Sequence, residues 1–341
     1  VAVVATIDRR ADHRGLAAVA ERWGIDVRAF GADQLDAIDV PTPSAVVAQA
    51  VGTRSVAEAA ALAAAGPEAT LVVPKVVAGK VTVAVARRAR PSGSLSIVGL
   101  GPGSVAQRTP QATGVVRHAD VVVGLGSYVD QCADLLTPSQ DVRRFPIGAE
   151  VERVRVALDL AADGCRVALV CSGDAGVYAM ASPAFELTAH GSPGAERYVG
   201  IEIVVVPGVT AGLAAAALLG APLGHDFLTV SLSDLLTPWE LIEARVRAAA
   251  ETDLVLVVYN PRSSKRTWQI EKTRSLLLEH RPASTPVGVV SDAGRPEERI
   301  VVTTLGELDC NEVNMTTCVV IGSSTTRVVR GRMVTPRGYR P

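Results

Sequence analysis

The 341-residue chain reads as an α/β protein built from more than one domain. Three observations carry that expectation. Short apolar runs bounded by Gly, Pro, Ser and Asp alternate with segments of helical period. Several of the runs end in glycine-bearing turns, the position at which open α/β sheets bind ligands. A basic and then Pro/Ser/Gly-rich stretch, Arg87-Arg88-Ala-Arg90-Pro-Ser-Gly-Ser94, interrupts the pattern and reads as a linker at 89–94. The expected order is therefore a small α/β domain at 1–88, the linker, and α/β domains at 95–208 and 209–341.

In the first domain, residues 1–5 and 27–30 are expected strands. Residues 12–23 are an expected helix, with Leu16, Ala17, Ala20 and Trp23 on one side. Ser55-Val-Ala-Glu58 has the spacing of a capping box and opens an Ala-rich helix that stops at Gly66-Pro67. Two strands, 71–73 and 81–86, flank Pro74-Lys75 and Gly79-Lys80.

The second domain opens on a strand at 95–100 that runs into Gly99-Leu-Gly-Pro-Gly103. This differs from a dinucleotide fingerprint, which is G-x-G-x-x-G opening a helix with an acid closing the next strand. Pro102 removes a backbone N–H, and Asp120 precedes the strand 121–124. A nicotinamide-dependent oxidoreductase is accordingly disfavoured. Helices are expected at 109–117, 150–163 and 183–189. The strand 167–171 ends in Ser172-Gly173-Asp174, where a glycine admits close backbone approach and a carboxylate faces the ligand edge. The strand 201–206 ends in Pro207-Gly-Val-Thr210, and Thr210 is the expected cap of a small-residue helix, 211–218. A mostly parallel sheet follows from the alternation. If the strands ending at 99–103, 172–176 and 207–208 are neighbours, their turns build one pocket.

Beyond Gly224, strands are expected at 227–232, 254–258, 286–290, 299–303 and 317–321. Thr237-Pro-Trp-Glu240 reads as a helix start, with Thr as cap and Pro in the first turn. Arg262-Ser-Ser-Lys265-Arg266 is expected to lead a helix to about His280. Residues 326–329 and 333–335 are an expected hairpin around Arg330-Gly-Arg332.

Net charge is −1, which gives no electrostatic case for nucleic acid or an anionic membrane surface. No apolar run approaches the roughly 18 residues of a membrane span. The five cysteines lack a C-x-x-C pair and the five histidines are scattered, so no metal site is expected and reduced cysteines in the cytoplasm are. The start lacks both a secretory signal and an initiator Met, which reads as a piece of a longer chain.

Leu100-Gly-Pro-Gly103, Ser172-Gly-Asp-Ala-Gly-Val-Tyr178, Pro207-Gly-Val-Thr-Ala211 and Tyr259-Asn-Pro261 occur in the order found in the tetrapyrrole methylases. The chain resembles that family over about 95–340. Gly224-His-Asp-Phe227, the run Ser231 to Glu240, Tyr259 to Ser263 and Thr335 to Tyr339 resemble its precorrin-3B C-17 branch. Ile321-Gly-Ser-Ser-Thr-Thr326 stands where Gly-Asn-Ser-Thr is expected, with Ser323 still able to hydrogen-bond. Residues 1–88 resemble the C-terminal domain of the cobalt-precorrin-5A hydrolase family, through Ala5-Thr-Ile-Asp8, Pro43-Ser44, Gly52-Thr53, Ser55 to Ala60 and Pro74-Lys75. Arg10 and His13 stand where that family tends to have Lys and Glu.

The resemblance implies a class III S-adenosylmethionine methyltransferase of two α/β domains, with the cofactor in the cleft between them and S-adenosylhomocysteine as product. It implies cofactor contacts at Pro102, Ser172, Gly173, Asp174, Val177, Thr210, Ala211, Asn260 and Ala293. Methyl transfer from a sulfonium needs positioning and a dry site rather than a metal. The acceptor would be a carboxylate-edged macrocycle. Arg262, Lys265, Arg266 and Arg295 are candidates to pair with it, and Tyr128 joins them as a weaker one. Ring contraction needs proton transfers, for which His225, Asp226, Ser233 and Asp234, with Ser231 beside them, are the candidates. A homodimer and contacts with neighbouring cobalamin-pathway enzymes are further implications. Methylation at another tetrapyrrole carbon and a non-catalytic scaffold, with 1–88 as a docking module, are the competing readings.

Overall fold

The computed structural model describes residues 3–87 and 93–339. Most of the expected linker, 89–92, lies outside the described residues, and Ser94 already opens a strand. The chain divides into two compact units, Val1–Pro91 and Ser92–Pro341.

In the first unit, β1 (Val3–Ile7) and β2 (Asp26–Phe30) pair in parallel across the helix Arg14–Trp23. β3 (Thr70–Ala78) and β4 (Val81–Arg87) form an antiparallel hairpin, with the pairing register shifting around Pro74. Pro74 has no N–H to give to the ladder, which suits a bulge. Ile7, Leu35, Ala59 and Ala60 form the core. The helices Ala32–Asp36 and Ala45–Val51 were not expected; both are too short to show a period.

The expected capping box does not form. The helix runs Ala57–Ala65 with Val56 as an uncapped N-cap. Glu58 is fully buried and turns away to accept from Thr42 N (3.3 Å), Thr42 Oγ1 (2.8 Å) and Lys75 N (3.0 Å). Burial opposes its charge, yet these bonds outweigh it and hold its pKa below the usual value.

The second unit contains two five-stranded sheets. The first comprises β5 (Ser94–Gly99), β6 (Val121–Leu125), β7 (Asp141–Phe145), β8 (Arg166–Cys171) and β9 (Glu202–Val206). Its order is β7-β6-β8-β5-β9, and every pair is parallel. Near-continuous Val/Leu/Ile runs suit strands covered on both faces. The helix Glu150–Ala162 supplies Val154, Ala157, Leu158 and Ala161 to one face, and Pro110–His118 supplies Ala112 and Val116 to the other.

After the short β10 (Gly220–Ala221), the second sheet is built from β11 (Phe227–Ser231), β12 (Val255–Tyr259), β13 (Pro286–Ser291), β14 (Arg299–Thr304) and β15 (Thr317–Ile321). Its order is β11-β12-β15-β13-β14, with β11 and β12 parallel and the pairs involving β15 and β14 antiparallel. Helices Trp239–Glu251 and Gln269–Leu278 pack on one face, and Ala211–Leu219 on the other. β16 (Arg327–Val329) and β17 (Arg332–Val334) form the expected hairpin, with Arg330 and Gly331 left-handed at its turn.

Two helix starts differ from expectation. Pro238, not Thr237, occupies the N-cap of Trp239–Glu251, without a side-chain cap. The next helix begins at Gln269, so Arg262, Lys265 and Arg266 lie in a loop. Trp239 and Trp268 meet edge-on at 4.7 Å between centroids, joining the two helix starts. Arg281 ties the frame from within. It is 4% exposed and donates to the carbonyls of Gly322 (2.6 Å), Ala249 (2.9 Å) and Leu254 (2.6 Å).

Candidate functional site

β8, β5 and β9 are consecutive neighbours pointing the same way, so their glycine turns meet as the sequence condition required. Gly101 and Gly173 exchange backbone hydrogen bonds of 3.0 and 2.7 Å. A Cβ placed on Gly99 would sit 2.7 Å from Gly173 O and 2.8 Å from Gly208 N. One on Gly208 would strike Gly173 O. The floor of the site is main chain packed on main chain, which only glycine permits. Gln131, absent from the expected residues, supports this floor by donating from Nε2 to Gly101 O at 2.8 Å.

Asp174 braces two of the turns. Its Oδ1 accepts from Gly176 N at 2.8 Å and its Oδ2 from Gly208 N at 3.0 Å. Val177 closes the same turn, half-buried. Thr210 occupies the N-cap of the helix Ala211–Leu219, but its hydroxyl does not cap it. Instead Thr210 Oγ1 pairs with Tyr259 Oη at 2.8 Å, and Tyr259 Oη accepts from Gly212 N at 2.8 Å. A tyrosine from the second sheet therefore does the work expected of the threonine. It can come that close because Gly212 has no Cβ, which would overlap the tyrosine hydroxyl. Burial raises the Tyr259 pKa, keeping the hydroxyl protonated.

The second sheet presents its own turns at the edge where β11, β12 and β13 end. Asn260 follows β12 in a left-handed conformation (φ 51°), which asparagine tolerates, and donates from Nδ2 to Ser231 Oγ at 3.0 Å. Ser233 N donates to the same oxygen at 3.2 Å, and Asp234 Oδ2 accepts from Gln269 Nε2 at 2.9 Å. Ala293, buried, sits in the turn after β13. The two sheets' turns touch. Arg295 donates from Nε to Pro102 O (3.3 Å) and from Nη2 to Ser172 Oγ (3.5 Å), with Asp292 at 3.7 Å. A Cβ on Gly103 would lie 3.1 Å from Ala293 O. Tyr178, left-handed at φ 52°, donates to Thr229 O at 3.1 Å, and its ring lies tilted at 58° against Tyr259, 5.2 Å between centroids. Pro102, Ser172 and Ala293 thus meet where the turns of the two sheets touch, with Gly173 and Asp174 in the adjoining floor and Thr210 tied to Tyr259.

Other expected residues lie elsewhere or are engaged. His225 and Asp226 precede β11, whereas Ser231 closes β11 and Asn260 follows β12. A five-residue strand puts roughly 16 Å between those ends. His225 Nδ1 accepts from Asp226 N at 2.9 Å, on the exposed amino edge. Arg262 donates to Cys310 O (2.8 Å) and Asn311 Oδ1 (2.9 Å). Arg266 is buried, donates to Asn260 O, and points a second nitrogen at Met315 Sδ (3.6 Å). Burial pulls its pKa down, with Asp234 opposing. Both arginines pin the 260–268 loop. Lys265 is exposed, and Tyr128 sits half-buried at the carboxyl edge of β6, its pKa raised by burial.

Residues 94–309 match the family described as Tetrapyrrole (Corrin/Porphyrin) Methylases. The chain belongs to the tetrapyrrole methylases. As a tetrapyrrole methylase it is 45% identical over 245 residues to the probable cobalt-factor III C(17)-methyltransferase of Salmonella typhimurium, a match covering 72% of this chain and 99% of that one. It is also 45% identical over 253 residues to the precorrin-3B C(17)-methyltransferase of a Sinorhizobium species, covering 73% and 98%. The crystal structure of the methyltransferase CobJ superposes with a TM-score of 0.68 at 39% identity, covering 72% of this chain and all of that one. Residues 1–86 match the family described as Cobalamin synthesis G C-terminus. Among the described residues no helix is long and apolar enough to cross a membrane. Tetrapyrrole methylases use S-adenosylmethionine. The main-chain floor fits such a group: it offers no phosphate cradle, only close-approach glycines, buried Ala293 and the Asp174 carboxylate.

Proposed function

We propose that the second unit methylates C-17 of precorrin-3B or its cobalt form, with ring contraction, as a step of cobalamin biosynthesis. The observation that carries this reading is the meeting of the three glycine turns with Ala293 and Arg295 across the seam of the two sheets. The names of the two 45%-identical relatives support the substrate. Bound S-adenosylmethionine supplies an activated methyl group on a sulfonium.

The chain's own residues position and enclose. Gly99, Gly101, Gly173 and Gly208 let the cofactor lie against bare backbone. Pro102, Ser172, Val177, Thr210, Ala211, Asn260 and Ala293 line the wall. Asp174 keeps the turns at 176 and 208 in place and offers its remaining lone pairs to the cofactor's hydroxyls. Tyr128, Lys265 and Arg295 are the candidates to meet the macrocycle's carboxylates. Ser233 and Asp234 stand at the site's edge as proton-handling groups, whereas His225 and Asp226 are left without a chemical role. We place the division of the second unit at 208/209, where the chain passes from the first sheet to a helix packed on the second. A cytoplasmic homodimer, and 1–88 as a module tying the methylase to its pathway, complete the reading. The joining of two cobalamin-related families in one chain supports that tie.

Incubation with precorrin-3B or its cobalt form and labelled S-adenosylmethionine, followed by mass analysis, tests the proposal. A singly methylated, ring-contracted product is expected. No label transfer, with no heat of binding from S-adenosylhomocysteine, would leave the scaffold reading. Gly99→Ala is expected to weaken S-adenosylhomocysteine binding at least tenfold while far-UV circular dichroism is retained. The added methyl meets backbone, not a flexible side chain, and overpacking of that kind costs about 1–3 kcal/mol. Unchanged calorimetric affinity would show that the floor is not the cofactor's seat.

A further inference from the structure

Arg153 is 3% exposed, yet its guanidinium is largely unanswered. Among the described residues Nε and Nη1 have no hydrogen-bond partner, and Nη2 reaches only Glu150 Oε1, at a long 3.4 Å. Other buried arginines here are better served. Arg281 meets three carbonyls, and Arg108 forms a two-pronged pair with Asp134 at 3.0 and 2.5 Å. A buried cation is ordinarily retained only when paired and fully hydrogen-bonded. Nη2 carries two hydrogens and Glu150 takes one at most, so one edge of the planar guanidinium, Nη2 together with Nε or with Nη1, stays free to match a carboxylate.

Its place in the fold says which carboxylate. Arg153 lies in the first turn and a half of the helix Glu150–Ala162. That helix follows β7, so its amino end stands at the carboxyl edge of the parallel sheet, the edge of the glycine turns. The N-cap, Ala149, offers no side-chain cap, leaving first-turn N–H groups pointing the same way. Arg153 acts electrostatically on Tyr128 and on Cys171, the residue just before Ser172-Gly173-Asp174, and Arg295 also acts on Tyr128. Glu150, with its side chain 42% exposed, is its one acidic partner.

We propose that Arg153 is a carboxylate-binding residue of the methylase site, completing its hydrogen bonds on a carboxylate of a bound ligand. This rests on the methyltransferase reading above, which supplies two sources: the amino-acid end of the cofactor and the acid side chains around the macrocycle. Three measurements on the full chain separate them. Calorimetry with S-adenosylhomocysteine reads the cofactor's carboxylate. Calorimetry with 5′-methylthioadenosine, which lacks it, reads the nucleoside alone. Steady-state KM for precorrin-3B reads the macrocycle.

Arg153→Met is expected to weaken S-adenosylhomocysteine at least tenfold with methylthioadenosine unchanged, or to raise the precorrin-3B KM at least tenfold with both cofactor affinities unchanged. The first result names the cofactor as source and the second the substrate. Arg153→Lys, a charge without the fork, should recover part of the loss. Wild-type values for both ligands in a folded Arg153→Met overturn the assignment, as does an equal loss for methylthioadenosine, which signals general damage. Should the Met variant fail to fold, Arg153→Gln is held to the same criteria. A wild-type protein that binds no S-adenosylhomocysteine overturns the methyltransferase reading itself, before any variant is compared.

Discussion

Arg281→Met is expected to lower the thermal midpoint of the second unit by roughly 6–20 °C. The guanidinium answers three buried carbonyls, those of Gly322, Ala249 and Leu254. Methionine fills similar volume but donates nothing. Ala249 O keeps Leu254 N at 3.0 Å, so the carbonyls that lose a donor without replacement are those of Leu254, at the approach to β12, and Gly322, in the turn after β15, at a cost of about 3–5 kcal/mol together. Each kcal/mol is worth about 2–4 °C in a unit of this size. Arg281→Lys should fall nearly as far, because a point charge on a flexible stem cannot span three acceptors. Scanning calorimetry reads both. A shift of less than about 2 °C for the Met variant would show that water replaces the guanidinium and that Arg281 is no keystone.

Asp174→Ala is expected to weaken S-adenosylhomocysteine binding by about 10- to 100-fold with a small loss of stability. The carboxylate accepts from Gly176 N and Gly208 N, each a charge-assisted bond worth about 1.5–3 kcal/mol. Part of that is returned by water in the variant, leaving about 1.4–2.8 kcal/mol to appear in affinity. Asp174→Asn is the sharper probe. Its amide oxygen can satisfy one N–H, but its NH2 group then faces the other donor. The Asn variant should therefore resemble Ala rather than wild type. If it binds as wild type does, Asp174 holds only one turn and the Gly208 contact is idle. Intact affinity in the Ala variant would remove Asp174 from the site altogether.

Strands were legible because burial on both faces writes itself as unbroken apolar runs: Val167 to Cys171 and Val255 to Val258 announce themselves. The meeting of the turns was legible as a condition, since three glycine-bearing turns could meet only if their strands were neighbours. Caps were not. Ser55, Thr210 and Thr237 each had the residue type and spacing of an N-cap, and each lost to a partner or geometry from outside the local pattern. Glu58 went to Thr42 and Lys75, and the Ala211–Leu219 helix took Tyr259 as its acceptor. The partners of the basic residues were equally hidden: Arg262 and Arg266 donate to carbonyls 48 and 6 residues away. Arg281 and Arg153 raised no signal, because each is a single arginine in or beside an ordinary helix. The placement of His225 and Asp226 was visible in the sequence: both precede the strand that Ser231 closes.

The main-chain floor formed by Gly99, Gly101, Gly173 and Gly208 has a further meaning for how such an enzyme can change. Its shape is inherited from sheet order and register, not from side-chain choice. With the methyl donor seated on that floor as proposed, substitutions around the rim can redirect which carbon of a macrocycle is presented without unseating it. Drift at the floor is closed off, because the smallest change there is a methyl group against backbone. Donor recognition and acceptor choice are thereby free to evolve on separate parts of one cleft.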